Sequence, residues 1–238
     1  MSPLRIGNYT CKVLKRMSKS PCYITDNEKY FIKKSYKLKF NENEKNILDN
    51  IGMYGHTRID KYTPVIPIYE TFQYKFYDYI VYPYIKGPDL QQLQDFNPKI
   101  WLQILFCIKY LHNHNIAHCD IKPENFMYYK NNTYVCDFEF SKKFKYNMNI
   151  LPINSRFGTM AYISPEIYQR RFVSLASDIY SLGKMYYIMR TSDYNFNLED
   201  NDILYNDEKE FIREMTKYNV DDRPNIIDCI DNFKRILF

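Results

Sequence analysis

Glycine is scarce: the 238 residues contain six. Almost every bend must therefore be made by Asn, Asp, Ser or Pro, and a glycine run that lets backbone close on a ligand is missing. No stretch approaches the roughly 18 uninterrupted apolar residues of a membrane span, and the N-terminal MSPLRIGNYTCK has no apolar core. Neither a membrane span nor a signal peptide is expected. The six cysteines (Cys11, Cys22, Cys107, Cys119, Cys136, Cys229) form no Cys-x-x-Cys pair, and no His stands at metal-ligand spacing to them. In a chain this long they read as thiols of a reducing, cytoplasmic compartment rather than a disulfide frame. Net charge is modest at +5; residues 1–40 hold ten Lys/Arg against Asp26 and Glu28, while 193–210 is acidic. A nucleic-acid reader would carry a denser basic stripe, so nucleic acid is not expected as a partner. What is abundant is aromatic: 25 Tyr and 16 Phe. Apolar residues at 45% and charged residues at 26% are ordinary globular usage, which excludes disorder and fibrous repeats.

The chain changes character part-way. CKVLKRM, CYIT and YFIKKSYKLKF alternate like strands and are separated by the turn-like MSKSP and TDNEK. Residues 41–51 switch period: Glu44, Leu48 and Ile51 fall at i, i+4 and i+7, one helical face carrying an acid and two apolar residues. Two aromatic-rich strands follow, VIPIYETF and FYDYIVYPYI, ending at Lys86-Gly87-Pro88. Beyond that point the pattern is helical, beginning with the stripe Ile100, Ile104, Leu105, Ile108 and Leu111 after Asn97-Pro98. A short hairpin, FMYY and TYVCDF, interrupts it, followed by an irregular stretch over 139–164 and helices over 179–189, 209–218 and 225–237. The expected architecture is α+β and bilobal: a five-stranded antiparallel sheet plus one helix over 1–85, a linker at 86–89, and a mainly helical lobe over 90–238.

The strongest local signal is His118-Cys119-Asp120-Ile121-Lys122-Pro123-Glu124-Asn125, with Asp137-Phe138 twelve residues beyond Asn125 and Gly158-Thr159-Met160-Ala161-Tyr162-Ile163-Ser164-Pro165-Glu166 further on. This ordered series resembles the eukaryotic protein kinase superfamily, Ser/Thr type, over essentially the whole chain. The resemblance implies a bilobal kinase fold, ATP and Mg2+ as cofactors, and protein Ser/Thr hydroxyls as substrate. Phosphoryl transfer asks chiefly for positioning and charge neutralisation. By resemblance, Asp120 is the catalytic base, Lys122 sits against the transferred phosphoryl group, and Asn125 and Asp137 are the metal ligands. Thr159 contacts Asp120 and Lys122. Glu166 and Arg223 form an ion pair anchoring the second lobe, and Asp178 braces the catalytic loop.

The phosphate-pairing lysine is Lys33 or Lys34; strand alternation favours Lys33, with Phe31 on the same face. Its helix partner reads best as Glu44, with Glu42 as one alternative. The other is a plain capping box from Asn41 to Glu44. The same resemblance implies Tyr82 as the gatekeeper, the backbone of Pro83, Tyr84 and Ile85 facing adenine, Asp89 as a ribose contact, and Met127 under the base.

Three departures from the family pattern bear on activity. The turn Met17-Ser18-Lys19-Ser20-Pro21 has no glycine, and Gly7 stands too early in the strand order to replace it. Phe31 stands where a small residue usually faces adenine. Cys119 replaces the arginine before the catalytic Asp, and Glu139 replaces the glycine after Asp137-Phe138. Without that arginine, control by a phosphorylated activation loop is not expected. An active kinase is the reading that the retained residues favour; a pseudokinase acting as a binding module is the alternative that the departures suggest.

Overall fold

The computed structural model describes residues 4–13, 21–35, 38–59, 63–93 and 96–237. It separates into two compact units, residues 1–87 with 136–139, and residues 88–135 with 140–238. The segment carrying Asp137 thus belongs with the first unit, although most of its chain neighbours lie in the second.

The first unit is built on β1 (Leu4–Ile6), β2 (Tyr9–Val13), β3 (Cys22–Thr25), β4 (Tyr30–Ser35), α1 (Leu38–Asn50), β5 (Glu70–Tyr74) and β6 (Tyr77–Pro83). The sheet is antiparallel with order β1-β2-β3-β4-β6-β5. It has six strands, not the five expected. The extra strand is three residues long, too short to show alternation, and is formed by a hairpin at Gly7-Asn8 that folds back on β2. The expected strand through Phe40 also ends early: β4 stops at Ser35 and α1 begins at Leu38. Asn41 therefore lies inside the helix, where it cannot act as its N-terminal cap, which removes the capping-box reading.

The pleat sorts β4 into two faces. Phe31 opposes Tyr82 and Lys33 opposes Ile80 on one; Ile32 opposes Val81 and Lys34 opposes Tyr79 on the other. The second face is a stack of aromatic rings. Phe72 stacks on Tyr79 at 5.3 Å and on Tyr9 at 5.9 Å, Tyr30 stacks on Tyr69 at 4.9 Å, and the Lys34 ammonium lies over the Tyr77 ring at 3.2 Å. The Tyr9 hydroxyl donates to the Glu70 carboxylate.

Gly7 closes this cluster. Its φ is +56°, and a Cβ placed there would stand 2.8 Å from Cε2 of Phe72, a ring already held on both sides. Its role is structural: no side chain fits between the β1–β2 turn and β5. Gly7→Ala is expected to cost about 2–3 kcal/mol from left-handed strain plus overpacking, read as a lowered urea midpoint at unchanged slope. A loss below about 0.5 kcal/mol would show that the ring gives way.

The second unit contains α2 (Pro98–Asn113), β7 (Ile116–Ala117), β8 (Phe126–Tyr129), β9 (Asn132–Val135), β10 (Lys142–Lys143), β11 (Ile150–Pro152), α3 (Pro165–Tyr168), β12 (Phe172–Ser174), α4 (Leu175–Thr191), α5 (Asn206–Met215) and α6 (Ile226–Leu237). Asn97 caps α2 by accepting from Lys99 N at 2.9 Å, with Pro98 in the first turn. The buried stripe of α2 is the one the sequence spells, joined by Trp101 and Cys107. Trp101 packs edge-on to Tyr186 of α4 and Phe233 of α6, an aromatic centre that holds the helices together. The stretch 139–164 is less irregular than expected: β10 pairs with β7, and β11 pairs with β12. None of the six cysteines forms a disulfide. Among the described residues, no helix is long and apolar enough to cross a membrane.

Candidate active site

In the first unit, Lys33 is the centre of a charged cluster. Its Nζ lies 2.7 Å from Asp137 Oδ1, 3.8 Å from Glu44 Oε2 and 3.8 Å from Glu139 Oε2. Burial works against the ammonium, but the three carboxylates outweigh it and hold the lysine above its usual range, firmly protonated. Lys34 points to the opposite face, onto Tyr77.

Glu44 is 1% exposed and sits on the inner stripe of α1 with Ile47 and Leu48. Its Oε1 accepts from the Tyr82 hydroxyl at 2.8 Å and from Phe138 N at 3.2 Å. Burial pushes the carboxyl upward, opposed by Lys33. Glu42 is exposed. Tyr82 is buried with its hydroxyl committed to Glu44, and its own pKa is raised by that burial and by the Glu44 charge. The Phe31 ring lies 6.0 Å from that of Tyr82.

The Tyr84 N–H donates to Lys29 O at 2.9 Å, so that one of the expected adenine-facing backbone groups is engaged within the unit. Pro83 has no N–H to donate. The glycine-free turn at 17–21 lies, apart from Pro21, outside the described residues.

In the second unit, four of the expected residues converge. Asp120 is 5% exposed. Its Oδ2 accepts from Lys122 Nζ at 2.7 Å and Asn125 Nδ2 at 3.1 Å, and its Oδ1 accepts from the Thr159 hydroxyl at 2.7 Å. Lys122 also donates to Thr159 Oγ1 at 3.0 Å, and Asn125 to the Asp120 carbonyl at 2.8 Å. Gly158 makes the close approach possible: with φ +88°, a Cβ there would lie 2.8 Å from Cys119 O.

The loop carrying Asp120 is held from behind. Cys119 adopts φ +69°, an uncommon conformation for a residue with a Cβ. Asp178, fully buried on α4, steadies that turn by accepting His118 N at 2.8 Å and Cys119 N at 2.9 Å, while His112 Nε2 lies 3.0 Å from its Oδ2. The Cys119 thiol faces Ala117 O, and burial raises its pKa. Asp89 shows a local use: its carboxylate accepts from Gln92 N and Nε2, and it bridges to Met127. Burial raises its pKa.

The sequence profile of the protein kinase domain family matches residues 18–236. The chain belongs to the protein kinase domain family. Its similarity to individual kinases is partial. It is 36% identical over 110 residues to the serine/threonine-protein kinase dkf-2 of Caenorhabditis briggsae, covering 42% of this chain and 8% of that protein. It is 26% identical over 156 residues to dkf-1 of Caenorhabditis elegans, covering 55% and 21%. It is 35% identical over 97 residues to the serine/threonine-protein kinase MPS1 of Encephalitozoon cuniculi, covering 40% and 17%. The chain thus spans about a fifth or less of the length of these curated relatives.

Within this kinase domain, Asn43 and His112 went unmarked from sequence, and Glu139 was marked only as a missing glycine. Asn43 donates to the carbonyls of Phe138 and Glu139, His112 supports Asp178, and the Glu139 side chain joins the lysine cluster. His112 had a visible signal, an apolar helix end followed by two more histidines in YLHNHNIAH. Asn43 had none beyond its place beside Glu44.

Proposed function

We propose that the chain is a serine/threonine protein kinase that transfers the ATP γ-phosphate to protein Ser/Thr hydroxyls. The observation that carries the reading is the Asp120 cluster, where a carboxylate, an amine and a hydroxyl meet at hydrogen-bond distances. Asp120 accepts the proton of the incoming hydroxyl as its oxygen bonds to the γ-phosphorus. The bond from that phosphorus to the bridging oxygen breaks, and ADP departs with the electron pair. Lys122 neutralises charge on the phosphoryl group, and Lys33, held by Glu44, pairs with the phosphates further along the nucleotide. Thr159 fixes Asp120 and Lys122 in their mutual orientation, and its engagement with both supports an aliphatic hydroxyl as acceptor.

Asn125 and Asp137 are the residues that would hold Mg2+. A carboxamide and a carboxylate are hard oxygen donors of the kind Mg2+ takes. Among the described residues no three or more His, Cys, Asp or Glu gather to hold a metal by themselves. Held by Asn125 and Asp137, Mg2+ would supply charge neutralisation to the phosphoryl group being transferred. Cysteines without disulfides support a reducing, cytoplasmic setting.

The test is transfer of labelled γ-phosphate to a generic acceptor protein in the presence of Mg2+, followed by acid hydrolysis of the acceptor. Label on phosphoserine and phosphothreonine is expected. Label confined to phosphotyrosine, or no label at all, overturns the proposal.

A further inference from the structure

Helix α1 reaches the segment 137–139 with two adjacent side chains, not one. Glu44 takes the Phe138 N–H at 3.2 Å. Asn43, one position earlier, donates its amide nitrogen to Phe138 O at 3.3 Å and to Glu139 O at 3.0 Å. Donor and acceptor groups of the same short stretch are therefore gripped from neighbouring positions of one helix. With two carbonyl oxygens in front of it, the side-chain amide must present its nitrogen, because its oxygen there would be repelled.

The stretch so gripped is unusual in two ways. Asp137 has φ +65°, and the residue two beyond it is Glu139, not the glycine that the family resemblance leads one to expect. The Glu139 carboxylate lies 3.8 Å from Lys33 Nζ, on the same ammonium that Asp137 contacts at 2.7 Å. Glycine would let this backbone turn over freely; here its conformation is determined by what holds the carbonyls.

We propose that Asn43 is a positioning residue, which by donating to the Phe138 and Glu139 carbonyls fixes the backbone that presents Asp137 to Lys33. The Asn43 amide is engaged with these carbonyls, so its effect on nucleotide and metal is exerted through the Asp137 carboxylate. The inference rests on the kinase reading for its effect on nucleotide binding, but not for its effect on the backbone.

The decisive variant is Asn43→Asp, which keeps the shape and replaces the donor by an acceptor facing two carbonyl oxygens. Asn43→Ala, which only deletes the contact, serves if the charge prevents folding. In the full chain without nucleotide, amide hydrogen exchange at 138–140 is expected to accelerate about tenfold or more. Exchange at Ile47 and Leu48 is expected to stay unchanged. Affinity for Mg-ATP is expected to fall about tenfold, while KM for the acceptor protein holds. A residue that merely packs on the helix would alter neither exchange at 138–140 nor this split. Unchanged exchange at 138–140 in both variants, or Mg-ATP affinity within about twofold of wild type, overturns the proposal. Should the wild-type chain bind no Mg-ATP, the kinase reading falls, and the exchange measurement still decides whether Asn43 holds the backbone.

Discussion

Asp120→Asn is expected to lower phosphate transfer by about 10²–10⁴-fold while leaving the fold and nucleotide affinity in place. Each Asp120 oxygen has its own donors: Lys122 and Asn125 on Oδ2, the Thr159 hydroxyl on Oδ1. An asparagine can keep its carbonyl oxygen toward Lys122 and Asn125 and turn its nitrogen toward Thr159, whose hydroxyl can accept as well as donate. The network survives and the proton acceptor is lost. The effect therefore falls on kcat, with KM for ATP little changed. Rates measured on wild type and variant purified in the same way check this. Equal rates would mean that the label is moved by another enzyme and that Asp120 is no base.

Arg223→Ala is expected to destabilise the second unit by about 3–5 kcal/mol. The guanidinium pairs with Glu166 through both nitrogens at 2.9 Å, and both side chains are almost completely buried. Arg223 also donates to the carbonyls of Lys217, Ala176 and Tyr218 and lies 5.0 Å over the Tyr180 ring. Removing it strands a buried carboxylate beside the Ser177 hydroxyl, which donates to it at 2.7 Å. Adding Glu166→Gln should recover part of the loss, since the stranded charge is then gone. Chemical denaturation of the two variants measures the difference; a loss below about 1 kcal/mol would show the pair to be dispensable.

The same pair sets an acid limit. Burial raises the Glu166 carboxyl, but the Arg223 hydrogen bonds and charge more than offset this and hold it below its ordinary value of 4.5. A carboxyl depressed in the folded state contributes stability above its unfolded pKa and loses it as pH falls through the folded one. The contribution of this pair is thus complete at neutral pH and fades below the ordinary carboxylate range.

Period and motif made much of this legible from sequence. Alternation in Tyr30-Phe31-Ile32-Lys33-Lys34 put Lys33 on the face of Phe31, and the structure has it there, with Tyr82 opposite Phe31 and Lys34 on the far side. The i, i+4 pattern from Glu44 to Leu48 marked the inner face of α1. Short elements were illegible: β1 is three residues and its partner strand was read without it, because only tertiary stacking of Phe72 under Gly7 defines that hairpin. Backbone pairing was illegible too, as the Tyr84 N–H shows, since nothing in a side-chain pattern reports which amides are already spent. Asn43 belongs to the same class. Its role depends on two carbonyls 95 and 96 residues away in sequence, a contact with no local signature.

In the proposed kinase, Lys33 and Asp137 would grip a metal-bound triphosphate although the turn expected to cover it has no glycine. Thermal unfolding of the wild-type chain with Mg2+ alone and with Mg-ATP tests it most directly. Nucleotide at about 100 times its dissociation constant should add about 2.7 kcal/mol, raising Tm by about 5–10 °C in a chain of this size. Lys33→Met should abolish that rise. An unchanged Tm at millimolar Mg-ATP, or an equal rise in Lys33→Met, would contradict the account.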